Sequence, residues 1–153
     1  MKELPLPRIA MRAFALLFVV LVGCNALTES RPGGPFRITI DHASYAPSYV
    51  VDITVTNVSR VDATYNLCPR AIQRRIGDAW QTVTSYPSGG ACTAEAHLFR
   101  AGESIDVRVG LAYDLADGTY RIVLPWLGDP TLPEDGRATP SFAVSKLPIV
   151  ALP

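Results

Sequence analysis

The stretch Tyr49–Asn57, YVVDITVTN, restricts the fold more than any other in the chain. Val51, Ile53 and Val55 alternate with Asp52, Thr54 and Thr56. An extended backbone sends these two sets to opposite faces, whereas a helix would scatter both around its circumference. Its β-branched residues favour the extended state as well. A strand with one apolar face needs a second layer to cover that face. The same period of two recurs in Phe36, Ile38 and Ile40, in Ile105, Val107, Val109 and Leu111, and in Phe142 and Val144 within Thr139–Val144.

Val61–Leu67, Ala71–Ile76, Ala79–Val83 and Thr119–Leu124 read as further short strands. Gly77-Asp78 is a two-residue hairpin signal. Asp41–Ser48 is turn-prone, and Pro47 excludes a central strand there. Ala94–Arg100 suits one helical turn or a short strand. Thr84–Ala94 reads as a loop by composition. No segment after residue 24 keeps a 3.6-residue period over three turns. The expected fold is therefore an all-β sandwich of about seven to eight strands over residues 36–145. Trp80 is expected against its core.

Ahead of this pattern stands Met11–Cys24, MRAFALLFVVLVGC. A basic residue, Arg12, precedes the apolar run Ala13–Val22, and Gly23 and Cys24 follow. That order reads as a secretory signal peptide over residues 1–24. The run falls short of the ~20 apolar residues needed to span a bilayer. Met11 is an alternative start, because MRAFALL supplies a basic n-region and an apolar h-region by itself. Asn25–Pro35, NALTESRPGGP, reads as a flexible linker. Lys146–Pro153 is an apolar, proline-bracketed tail. The chain has 14 basic and 14 acidic residues; losing Lys2, Arg8, Arg12 and Glu3 with the leader leaves a net charge of −2. No basic run suits nucleic acid.

Leu21-Val22-Gly23-Cys24 resembles the lipobox of bacterial lipoprotein signals. The resemblance implies that Cys24 is lipidated and becomes the first mature residue, so the partner of the chain is a membrane, reached through an N-terminal lipid. Asn25 after that cysteine, by resemblance to Gram-negative lipoproteins, favours the outer membrane facing the periplasm. A Gram-positive host would place the domain at the outer face of the plasma membrane. With Cys24 assigned, Cys68 and Cys92 remain as one pair. Export to an oxidising compartment favours their disulfide, worth roughly 3 kcal/mol in the chain-entropy account.

Ile53-Thr-Val-Thr-Asn57, Arg74-Arg-Ile-Gly-Asp-Ala-Trp80, Ala101-Gly-Glu-Ser104 and Asp117-Gly-Thr-Tyr-Arg121, in that order, resemble bacterial immunoglobulin-like domains of exported proteins of unknown role. A related resemblance is to the β-sandwich domain named after a Bacillus proteinase inhibitor. Both imply an immunoglobulin-like sandwich. Tyr120 stands where a tyrosine corner would sit. Ile122 occupies the place of the usual second core cysteine, so the inter-sheet disulfide of antibody domains is absent.

No motif for catalysis or for a cofactor stands out. His42 and His97 are far apart in sequence and lack a third ligand at metal spacing, so surface positions are expected and no metal is assigned. Ser88-Gly-Gly90 is no nucleophile elbow. Asp114, Asp117, Asp129, Glu134 and Asp135 match no calcium loop and read as turn acids. Asn57-Val-Ser59 fits a glycosylation pattern that a bacterial lipoprotein gives little reason to use. Trp126, after Pro125 at a strand end, and Tyr86 are the aromatic residues that offer a binding surface. The expected function is a lipid-anchored, non-catalytic interaction or structural module of the cell envelope, with a protein partner. The alternative, from the Bacillus resemblance, is an exported proteinase inhibitor presenting Thr84–Ala94, braced by Cys68 and Cys92.

Overall fold

A computed structural model describes residues 34–86 and 91–146. Residues 1–33, 87–90 and 147–153, and with them the expected leader, Cys24, most of the expected linker and most of the expected tail, lie outside the described residues.

The described residues form an all-β sandwich. Its strands are β1 (Phe36–Ile40), β2 (Ser44–Tyr45), β3 (Val50–Asn57), β4 (Ala63–Tyr65), β5 (Arg70–Ile76), β6 (Ala79–Tyr86), β7 (His97–Phe99), β8 (Ser104–Gly110), β9 (Gly118–Val123) and β10 (Phe142–Val144). A single 3₁₀ turn, Glu134–Arg137, sits between β9 and β10. One sheet has the order β1-β3-β8, the other β2-β10-β9-β5-β6, and β4 with β7 forms a two-stranded ribbon. Taking β1, β3 and β8 as strands A, B and E, and β10, β9, β5 and β6 as G, F, C and C′, this is the immunoglobulin strand order. β7 falls where strand D would in sequence, but it pairs with β4 and not with β8.

The alternating residues behave as their period dictates. Val51, Ile53 and Val55 are fully buried, as are Ile38 and Val109, and they join Ile72, Ile122 and Phe142 in one core cluster. At roughly 2 kcal/mol for each large apolar side chain removed from water, this cluster is the main favourable contribution to folding. The polar face of the three-stranded sheet is cross-linked strand to strand. Thr54 donates to Asp106 at 2.8 Å, Thr56 and Ser104 share a hydrogen bond of 2.9 Å, and Arg108 reaches Asp52 at 2.9 Å.

Local chemistry sets the turns. Gly77 adopts φ +59° between the paired residues Ile76 and Ala79, as the first central position of a type II′ hairpin requires. The Tyr120 hydroxyl donates to the Ala116 carbonyl at 2.6 Å, four residues upstream, with the ring buried. This is the tyrosine corner expected from Gly118-Thr-Tyr120. Burial pushes this phenol above the usual tyrosine range, so it remains a donor.

Three details differ from the sequence reading, and the two readings open for Ala94–Arg100 are decided. Ser44–Tyr45, inside the turn-prone stretch, pairs in parallel with β10 as an edge strand, which Pro47 permits. Ala94–Arg100 resolves to strand, in β7. Thr84 and Tyr86, assigned to a loop by composition, belong to β6 and pair with Ile72 and Arg70. Trp80 does not enter the core cluster. Ile72 pairs with Thr84 while Gln73 pairs with Thr82, which leaves Val83 as an extra, bulged residue. The bulge reverses strand parity, so Trp80 shares the outer face with Gln73 and Arg75.

Replacing Tyr120 by Phe keeps the ring and orphans the Ala116 carbonyl. Urea unfolding should show a stability loss of about 1 kcal/mol with an unchanged m-value; an unchanged midpoint would remove the corner from this account.

Candidate functional site

Trp126 lies just past β9, within the long return from β9 to β10. Its backbone is fixed although its ring is 46% exposed. The Trp126 carbonyl accepts the Asn66 N–H at 3.0 Å, and the Gly128 N–H donates to the Thr64 carbonyl at 2.8 Å. Residues 126–128 thereby run along β4, with Tyr65 bridged to Leu127. Gly128 has φ +69°, and a Cβ there would come within 2.6 Å of the Phe36 ring. Only glycine fits this close approach. Phe36 in turn stacks on Phe99, which meets Tyr65 edge-on.

Trp126, Tyr65, Asn66, Pro130, Ala94 and Ala96 line a groove of about 210 Å³. Ala94 and Ala96 belong to irregular chain, and the nearly buried Asn66 holds it. The Asn66 amide donates to the carbonyls of Thr93 (2.7 Å) and Glu95 (2.8 Å), and its oxygen accepts the Cys68 N–H at 2.9 Å. Cys68 and Cys92 are joined as a disulfide, with Cα atoms 5.6 Å apart. A crosslink and a buried amide therefore grip the segment after position 90 at adjacent points. The middle of the Thr84–Ala94 loop, 87–90, lies outside the described residues.

The rest of the β9–β10 return is pinned to the outer face of the five-stranded sheet by Arg121, which is only 7% exposed. Its guanidinium donates to Gln73 at 2.7 Å, to Glu134 at 2.6 Å and to Asp135 at 2.5 Å, and it lies 4.6 Å from the Trp80 ring. Gln73 also donates to Glu134 at 3.0 Å. Further along, Arg137 donates to the carbonyls of Pro125 and Leu132, and Thr139 exchanges hydrogen bonds with the Ile122 backbone. In the sequence Arg121 stood out only as the end of the motif Asp117-Gly-Thr-Tyr-Arg121, with no role attached. Its position opposite Gln73 on an outward face was the available signal, but that signal requires the register of β5 on β9.

Tyr86 is not part of the groove lining. Its hydroxyl donates to the Gly110 carbonyl at 3.0 Å, and Arg70 covers its ring. Of the two aromatics, only Trp126 borders the groove. Asn57 is fully buried; its amide donates to Val61 and Phe99 carbonyls and its oxygen accepts from Ser59. This glycosylation pattern is a loop clamp. His42 is exposed beside Asp41, whose other oxygen accepts the Tyr45 hydroxyl at 2.6 Å. Burial, then that carboxylate, push the Tyr45 phenol well above its usual range. His97 lies on β7 against the Tyr65 ring. The Asp129 carboxylate closes a turn on Thr131, and these hydrogen bonds hold it below the usual carboxylate range. The Asp117 carboxylate accepts the Lys146 backbone N–H, and its carbonyl accepts from Arg74. With Glu134 and Asp135 on Arg121, these turn acids bond protein groups.

No protein-family model matches the chain, and no curated protein matches its sequence. Solved structures with related backbones include Spo0M, a sporulation control protein from Bacillus subtilis, at 11% identity and TM-score 0.45, covering 74% of this chain and 50% of that one. A β-glucosidase from Listeria innocua aligns at 13% identity and TM-score 0.41, over 73% of this chain and 16% of the enzyme. A β-glucosidase from Erythrobacter marinus aligns at 12% identity and TM-score 0.36, over 71% and 15%. The chain thus spans half the length of the sporulation protein and a small fraction of each glucosidase. Similarity of this degree carries no functional information.

The double variant C68A/C92A removes a crosslink between residues 24 positions apart. Its unfolding free energy should fall by about 3 kcal/mol, measured against the oxidised parent in urea; equal stability would show that the bond is not formed in the mature protein.

Proposed function

We propose that this chain is a lipid-anchored, non-catalytic binding module of the cell envelope, which meets a protein partner at the groove beside Trp126. The observation that carries this reading is a half-exposed tryptophan on an immobilised backbone. Exposed aromatic rings on rigid supports are the usual anchors of protein interfaces, because they bury a large area with little loss of conformational entropy. Asn66 and the disulfide brace the segment that carries the lining residues Ala94 and Ala96, which lowers the ordering cost of contact. The buried Arg121 and Asn57 and the partly buried Asp41–Tyr45 pair take part in structural hydrogen bonds, in keeping with a binding rather than a catalytic role. Anchoring is supported by Leu21-Val22-Gly23-Cys24.

A second reading, a proteinase inhibitor, draws support from the grip of Asn66 and Cys68 on residues 92–95. A loop held at its base enters a protease cleft with less entropy to lose. A panel of envelope proteases separates the two readings: inhibition that disappears on reduction belongs to the inhibitor alone.

Mass spectrometry of the chain expressed from its own leader should find Cys24 as the first residue, carrying added acyl mass, and Cys24→Ser should release the chain from membranes. Cleavage elsewhere or an unmodified Cys24 contradicts the anchor. A photo-crosslinking residue at 126 should capture one envelope protein that the same residue at Thr39 does not. Trp126→Ala should abolish co-purification of that protein while leaving the melting temperature within a few degrees, as befits an exposed side chain. Retained co-purification contradicts the proposed face.

A further inference from the structure

The chain enters the sandwich at one end of the three-stranded sheet. Phe36 pairs with Asn57, and the Val58 N–H donates to the Pro35 carbonyl at 3.0 Å. The loop after β3 and the turn before β8 meet there and are joined through Asn57. Its amide donates to Val61 at 3.0 Å and Phe99 at 3.1 Å. Its backbone N–H donates to Glu103 and its carbonyl accepts from Gly102. The two acids of this tip are turned onto its own backbone. Asp62 accepts the Ala101 N–H, and Glu103 accepts the Arg100 N–H.

What projects outward is of another kind. Val58 is 48% and Val61 69% exposed, and Ala101, Arg60 and Arg100 are exposed beside them. Two valines held open on a braced tip, with the exposed Arg60 between them in sequence and the exposed Arg100 on the adjoining turn, suit a surface that is apolar underneath and phosphate-bearing on top. We infer that this tip is seated on the bilayer, with Val58 and Val61 at headgroup level and Arg60 and Arg100 on lipid phosphates. The inference rests on the lipidation of Cys24 proposed above. Cys24 and Phe36 are 12 positions apart, at most about 40 Å of extended chain. A tether of that length keeps the tip at a high effective concentration over the membrane, so a weak surface contact is populated. Seating also fixes direction. The opposite ends of β3 and β8, where the Leu111 N–H meets the Tyr49 carbonyl and Tyr113 is exposed, then face away from the lipid.

The test uses the mature lipidated chain in vesicles of phosphatidylethanolamine with a minority of phosphatidylglycerol, recovered by flotation. A nitroxide is placed at Val61→Cys or at Tyr113→Cys, both exposed positions. Collision with a water-soluble nickel chelate should be several-fold lower at 61 than at 113 on vesicles, and alike at the two positions in detergent. Arg60→Gln combined with Arg100→Gln should narrow the difference on vesicles. A chain that floats with positions 61 and 113 equally accessible overturns the seating and leaves the anchor standing. A chain that does not float and carries no lipid on Cys24 overturns both.

Discussion

The surface of this sandwich depends on a cation buried on the outside of a sheet. Between β9 and β10 the chain makes a long return with little regular structure, only one 3₁₀ turn, Glu134–Arg137. A return of that kind has no ladder to hold it, and its conformational entropy works against order. Arg121 supplies the attachment. It rises from β9 and lies near Trp80, with hydrogen bonds to Gln73, Glu134 and Asp135. A guanidinium removed from water is costly alone, and becomes acceptable when its donors are met by carboxylates and an amide in fixed geometry. Because the return lies over the sheet, Val123, on the same face as Arg121, is also buried. Trp126 is then presented from a segment held at both sides.

The same device recurs on a smaller scale. Asn57 and Asn66 are nearly or fully buried amides, and each holds irregular chain by its carbonyls. Asn57 holds the tip beside Pro35 and Val58, and Asn66 holds the chain that lines the groove. The apolar core determines that there is a sandwich, while buried polar side chains, Arg121, Asn57 and Asn66 among them, hold the shape of its loops. That division matters for function, since binding surfaces arise on loops held by a rigid scaffold.

The core was legible in the sequence because alternation is a local signal. Val51, Ile53, Val55, Val107, Val109, Phe142 and Val144 all face inward as their period requires. The hairpin at Gly77-Asp78 and the tyrosine corner at Tyr120 were legible because their backbone chemistry is local too. What escaped depends on register. Trp80 faces outward because Val83 is a bulge, and nothing in ALA-TRP-GLN-THR-VAL-THR marks a bulge in advance. β9 is buried on both faces, so parity alone could not tell a core position from one under the return. The role of Arg121 follows only once β5 is set beside β9. At the groove, Trp126 was visible from Pro125 and the strand end, whereas the amides of Asn66 that complete it come from pairings 27 and 29 residues apart.

Arg121 thus orders the loop that presents Trp126 without being needed for the core. Native-state hydrogen exchange on the Arg121→Met variant tests it most directly. Met preserves much of the stem volume, and Glu134 and Asp135, each half exposed, return to water. The account predicts faster exchange at the amides of Leu124, Gly128 and Gly136, with Ile53 and Val55 in β3 keeping their protection. Unchanged exchange along 124–139, or an equal loss of protection in β3, would contradict it.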